Sequence, residues 1–165
     1  MIAGAGTVGL EILNDCPDVG TITVPIGGGG LISGIAIAVD AASPKPLVCG
    51  VEAEASQPFT ASRAAGRIVE VHVAPTLADG LAGNLDSDTI TFDIVQRLVP
   101  AIATVTEEEI RRAMQGIVQY ERLIVEGAGA VGVAALLARK LRTQGSVAIL
   151  VSGANVDSDV FHSLL

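Results

Sequence analysis

With 165 residues, half of them hydrophobic and 17% charged, the chain has enough apolar surface to offset the entropy of ordering, which excludes intrinsic disorder and fits one globular unit. A formal net charge of −8 excludes the basic face that nucleic acid or an anionic membrane requires. With only 2% aromatic residues and no Trp, the core is expected to be layered from Ala, Val, Ile and Leu, the filling of a parallel α/β sheet.

Gly9 to Asn14 reads as part of a first helix, and the β-branched run Gly20 to Ile26 as a strand. Four glycines, Gly27 to Gly30, follow, then an apolar helix from about Leu31 to Ala42 that Pro44 and Pro46 end. Leu47 to Glu52 is a second strand, and Ser56 to Gly66 a helix closed by its glycine. Ile68 to Val73 alternates apolar and polar residues like an exposed edge strand, on which His72 reads as a surface residue. Asp88 to Leu98 is a helix and Ala101 to Val105 a strand. Thr106-Glu-Glu-Glu109 is a capping box that starts a helix running to about Arg122. A Gly-rich turn, a helix from about Ala130 to Arg142 and the strand Val147 to Val151 complete the order. Repeated β-α alternation predicts an α/β fold, a mainly parallel open sheet with helices on both faces, as one unit over residues 1–165.

No apolar stretch reaches 18 residues unbroken, and the start lacks the basic residues and long apolar core of a signal peptide, so a cytoplasmic protein is expected. Cys16 and Cys49 are far apart with no metal-ligand spacing, and both are expected to be buried free thiols.

Two stretches match G-x-G-x-x-G: Gly4, Gly6, Gly9 and Gly127, Gly129, Gly132. A dinucleotide site also needs a preceding strand and an acidic residue at the end of the next one; neither stretch meets both conditions, so these glycines are expected to allow close helix packing. The run Gly27-Gly28-Gly29-Gly30 is more telling, because each glycine costs backbone entropy on folding. Without Cβ atoms the loop can turn its N–H groups toward one point at a helix N-terminus, where the macrodipole also favours an anion. That arrangement is a phosphate cup, and no Lys-Ser/Thr pair follows that would make it a nucleotide loop.

Val24-Pro25-Ile26-Gly27-Gly28-Gly29-Gly30-Leu31-Ile32-Ser33-Gly34-Ile35-Ala36 resembles the tetraglycine loop of the threonine dehydratase and serine racemase family, fold-type-II enzymes that depend on pyridoxal 5′-phosphate (PLP). Further blocks resemble the family in order: Gly6 to Ile12, Gly50-Val51-Glu52, Ala78-Asp79-Gly80, Thr104 to Ile110, Glu126 to Gly132 and Ser152 to Asp157. Together they resemble the C-terminal part of the family's large domain. The resemblance implies that Gly27, Gly28, Gly29 and Gly30 hold the cofactor phosphate and that Ser152 hydrogen-bonds the pyridine nitrogen. It implies that Gly80 lines the phenolate side and that Glu126 lies close to the ring.

The family's Ser-Phe-Lys-like motif, whose lysine forms the Schiff base, and its Ser-Ser-Gly-Asn-like carboxylate loop have no counterpart here. Lys45 and Lys140 lack the desolvated setting of such a nucleophile, so no catalytic residue is assigned. Some relatives bind a divalent cation near the strand end matched by Glu52, but Pro58 stands where a further acidic ligand is expected, so no metal is expected.

Two functions follow. One is a PLP-dependent L-threonine or L-serine ammonia-lyase giving a 2-oxo acid and ammonia, with this chain inactive alone. Its partners would be an amino-acid substrate in the complete enzyme and either further copies of the chain or a complementing N-terminal half. The other is a non-catalytic anion-binding or oligomerisation module, or the remnant of a truncated gene.

Overall fold

β-branched side chains stand well on a pleated, buried surface, and the run Val19–Pro25 forms β1, the strand around which the rest is arranged. The computed structural model describes residues 1–162. In chain order its elements are α1 (Ile2–Asp15), β1, α2 (Gly30–Asp40), β2 (Leu47–Ala53), α3 (Pro58–Ala65), a 3-10 turn (Asp79–Leu81), α4 (Thr91–Leu98) and β3 (Ala101–Val105). After these come α5 (Glu107–Gly116), a π turn (Ile117–Glu121), α6 (Gly127–Leu137), β4 (Ser146–Ile149) and α7 (Ser158–His162). The four strands lie in the order β3-β2-β1-β4, every neighbouring pair parallel.

Strand periodicity of two divides the core between the two faces of the sheet. Ile22, Val24 and Val48 pack with Ile32 and Ile35 of α2, Phe59 of α3 and Val95 of α4. Val51, Ala53, Ala103 and Val105 pack on the other face with Ile110 and Met114 of α5 and Val131 of α6. Each fully buried Ile or Val contributes about 1.5–3 kcal/mol relative to exposure. Helices thus cover both faces, as expected. α1 forms an outer layer on α2, where the backbones meet so closely that a Cβ on Gly34 would lie 2.3 Å from the Ile2 carbonyl oxygen. Among the described residues no helix is long and apolar enough to cross a membrane.

Several expectations need correction. Gly9 to Asn14 lies within the first helix as expected, and that helix begins at Ile2, where packing of Gly6 and Gly9 on Gly34, Ile35 and Ala38 outweighs the low helix propensity of glycine. Ile68 to Val73 is not a strand: at Val71 a side chain takes the place of a neighbouring strand, Val71 N–H donating to Asn84 Oδ1 (2.7 Å) and Asn84 Nδ2 donating to the Val71 carbonyl (3.1 Å). His72 is exposed, but on an irregular segment. Cys49 is buried, whereas Cys16 at the end of α1 is exposed. The fourth helix starts at Thr91 rather than Asp88. α5 ends at Gly116 and passes through the π turn to left-handed Arg122, so the helix read to Arg122 is α-helical for only part of its course. The Gly-rich turn before Ala130 is itself the first turn of α6, which ends at Leu137, so Lys140 lies beyond the helix.

Candidate functional site

Chain connectivity makes a crevice. From β1 the chain moves outward through β2 to β3, and then returns to place β4 on the other side of β1. The loops leaving the C-terminal ends of β1 and β4 therefore diverge, and such a switch point is where open α/β sheets bind ligands. A cavity of ≈ 520 Å³ opens there, lined by Gly27, Gly28, Gly29 and Gly30 after β1, Ser152 after β4, Gly80 from the 3-10 turn and Glu126 before α6. All seven site residues read from the sequence converge on it. Met1, Ile2, Leu81, Thr89, Thr91 and Ala128 also line it.

The glycine loop is held from behind. Gly29 is the N-cap of α2 at φ 81°, the left-handed region, and a Cβ there would lie 2.5 Å from Phe59 Cζ and 2.9 Å from Thr91 Cβ. Gly27 lies against the 3-10 turn, its Cβ position 3.3 Å from the Gly80 carbonyl oxygen, while nothing lies within 4 Å of the Cβ position of Gly28. The first N–H groups of α2 have no acceptor within the helix, and with the helix dipole they make this mouth electropositive.

Phe59 is positioned in turn by Glu52, at the end of β2. Its buried carboxylate accepts from the N–H groups of Phe59 (2.8 Å) and Thr60 (2.9 Å) and from Thr60 Oγ1 (2.6 Å), capping α3. Burial pushes the Glu52 carboxyl above its ordinary value, against the pull of those three hydrogen bonds.

The opposite wall explains the second glycine pattern. α6 enters between two backbones, so that a Cβ on Gly127 would lie 2.0 Å from the Leu77 carbonyl oxygen and one on Gly129 2.0 Å from that of Ser152. The segment before Gly80 is tied down by Glu107, whose carboxylate accepts from Leu77 N–H (2.8 Å) and Thr76 Oγ1. Glu107 therefore does more than favour the start of α5. Glu126 ties the loop that carries Ser152: its carboxylate accepts from Asn155 N–H (3.2 Å) and its own N–H donates to the Gly153 carbonyl (3.3 Å).

Neither lysine reaches the cavity. Lys45 precedes β2, at the opposite end of the sheet, and pairs with Asp40. Lys140, beyond the far end of α6, pairs with Glu109 at 2.7 Å. Partial burial raises the Glu109 carboxyl, but the hydrogen bonds from Lys140 and Thr106 prevail and hold it below its ordinary value. Thr89 and Thr91 were not legible as site residues, since their one local signal is a Thr-Ile-Thr at a helix start.

The chain is similar to known proteins along nearly its whole length. The family model described as pyridoxal-phosphate dependent enzyme matches residues 1–153. An L-threonine ammonia-lyase of Thermotoga maritima is 44% identical over 166 residues, covering 100% of this chain and 41% of that protein. The catabolic L-threonine dehydratase of Escherichia coli K12 is 44% identical over 165 residues, covering 95% of this chain and 48% of its own length. The chain thus spans less than half the length of these curated relatives. Among solved structures, a threonine deaminase of T.th. superposes with a TM-score of 0.88 at 39% identity, covering 94% of this chain and 57% of that one. Maize serine racemase gives 0.89 at 36% identity, covering 98% and 50%. The parallel sheet, the glycine loop at its switch point and these matches along nearly the whole sequence agree: the chain belongs to the pyridoxal-phosphate dependent enzyme family, with the fold of its fold-type-II members.

Proposed function

We propose that this cavity binds pyridoxal 5′-phosphate, with the phosphate on the N–H groups of Gly27 to Gly30, the ring nitrogen at Ser152, and Gly80 and Glu126 beside the ring. The observation that carries the reading is the convergence of these seven residues on one cavity at the strand ends. The complete protein is then an L-threonine or L-serine ammonia-lyase, whose cofactor supplies the electron sink for loss of the α-proton and the β-hydroxyl, leading to a 2-oxo acid and ammonia. The glycine backbone binds and orients without bringing charge of its own. Ser152, a neutral hydroxyl, can hydrogen-bond the ring nitrogen without enforcing its protonation. Glu126 holds the Ser152 loop in register with the first turn of α6.

The site fits the phosphate and ring ends of the cofactor but offers no lysine for its carbonyl end, which favours a second reading in which this chain alone is an anion-binding module. One experiment tests both. Titration with pyridoxal 5′-phosphate and with inorganic phosphate is expected to shift the amide signals of Gly27 to Gly30, with no turnover of L-threonine or L-serine above that of free cofactor. A stoichiometric pyridoxyl adduct on Lys45 or Lys140 after borohydride reduction, with turnover above free cofactor, would overturn the assignment of no catalytic lysine. Unmoved glycine amides would overturn the site.

Residues 1–165 are proposed to act as one α/β unit, the last three positions lying outside the described residues. We place it in the cytoplasm, in keeping with two cysteines that are both free. Its proposed partner is a second polypeptide surface, either another copy or a segment carrying the family's lysine half. Leu10, Leu123, Ile124 and Leu137 are each more than half exposed, and β4 lies at an edge of the sheet. Sedimentation over a concentration series is expected to show self-association; a monomer at every concentration would remove the first of these partners.

A further inference from the structure

A run of four glycines does not choose which way its peptides face. Each unit can flip at small cost, and a flipped peptide would put a carbonyl oxygen where an anion-binding N–H is needed. Something outside the loop has to decide. Thr91, at the start of α4 and 63 residues from Gly28 in sequence, places its Oγ1 2.8 Å from the Gly28 carbonyl oxygen. Thr89 Oγ1 lies 2.9 Å from Thr91 Oγ1, and Thr91 N–H reaches Thr89 Oγ1 at 3.4 Å.

Proton counting orders this chain. A carbonyl can only accept, so the single hydroxyl proton of Thr91 goes to Gly28. Thr89 must then donate to Thr91. The carbonyl of Gly28 is thereby held toward α4, and because a trans peptide sets its C=O and N–H on opposite sides, the N–H of Gly29 is turned the other way. The proton of Thr89 is also spent on Thr91, so Thr89, although it lines the cavity, offers it no proton of its own.

We propose that Thr91, with Thr89 behind it, is the positioning residue that fixes the Gly28–Gly29 peptide of the glycine loop, leaving the Gly29 N–H as a donor to an anion. This rests on the reading of the cavity as a phosphate site. Thr91 is buried at 6% exposure, and the substitution Thr91→Val keeps its shape while removing the donor.

In the ligand-free chain, Thr91→Val is expected to move the Gly28 carbonyl carbon signal upfield, because a hydrogen-bonded carbonyl is deshielded. Affinity for inorganic phosphate, followed at the Gly27 to Gly30 amides, should fall by about tenfold, the scale of one net hydrogen bond. Thr91→Ser is expected to restore both signals, which recovery of packing alone would not do. Thr91→Ala gives the same readout if the valine disturbs the first turn of α4. A folded Thr91→Val chain with an unmoved Gly28 carbonyl, or with the affinity of the parent, would overturn the assignment and leave the phosphate site standing. Failure of phosphate to move any of the four amides in the parent chain would overturn the site itself, and the ligand-free carbonyl signal keeps the two failures distinct.

Discussion

Replacing Gly29 with valine is expected to abolish phosphate binding and to destabilise the chain by about 3 kcal/mol or more. Two effects add. At φ 81° a β-branched residue sits in the left-handed region. Its Cβ would also fall 2.5 Å from Phe59 Cζ and 2.9 Å from Thr91 Cβ. Neither neighbour yields easily: the backbone of Phe59 is held by the buried carboxylate of Glu52, and Thr91 is bonded to Gly28. Relief would have to come from the loop itself, which is the proposed cup. Calorimetric titration with pyridoxal 5′-phosphate and thermal unfolding measure the two effects. Gly28→Ala is the control, since its Cβ meets nothing within 4 Å, and its stability should stay within about 0.5 kcal/mol of the parent. A Gly29→Val chain as stable as the parent and binding as tightly would refute this account of the loop.

The second large effect is expected at the other end of the cavity. Gly153 has φ 76°, and its Cβ position lies 2.2 Å from Glu126 Oε1. Gly153→Val would displace the Glu126 carboxylate, which accepts from Asn155 N–H, and would move the adjoining Ser152. Because this wall is proposed to hold the ring and not the phosphate, affinity for pyridoxal 5′-phosphate should fall by about a hundredfold, on the scale of two net hydrogen bonds. Affinity for inorganic phosphate should hardly change. Parallel losses for both ligands would mean that Gly153 acts on the fold as a whole, and no loss for either would remove Ser152 and Glu126 from the ring site.

Where a few neighbouring residues settle a conformation, the sequence was legible. The capping box is present as read, Glu109 N–H donating to Thr106 Oγ1 (3.2 Å) and Thr106 N–H to Glu109 Oε2 (2.8 Å). Gly66 closes α3 in the left-handed conformation expected of a C-terminal glycine. Ile68 to Val73 was misread because alternation describes one chain, whereas a strand needs a neighbour, and here the side chain of Asn84 takes that place at Val71. The exposure of Cys16 was not legible either, since the setting of a residue at the end of α1 depends on what packs there.

By itself the sequence determined the four strands, most of the helices between them, the position of the glycine loop and the family, because these depend on propensity, capping and motif over short spans. Only the tertiary structure decided that the seven proposed site residues share one cavity. It also decided which backbones meet the glycines expected to allow close packing, Leu77 at Gly127 and Ser152 at Gly129, and that Glu52, Glu107 and Thr91 hold the walls in place. Those roles rest on contacts between residues as many as 63 positions apart, such as that of Thr91 with Gly28, and such distances are set by sheet order and packing rather than by any local pattern.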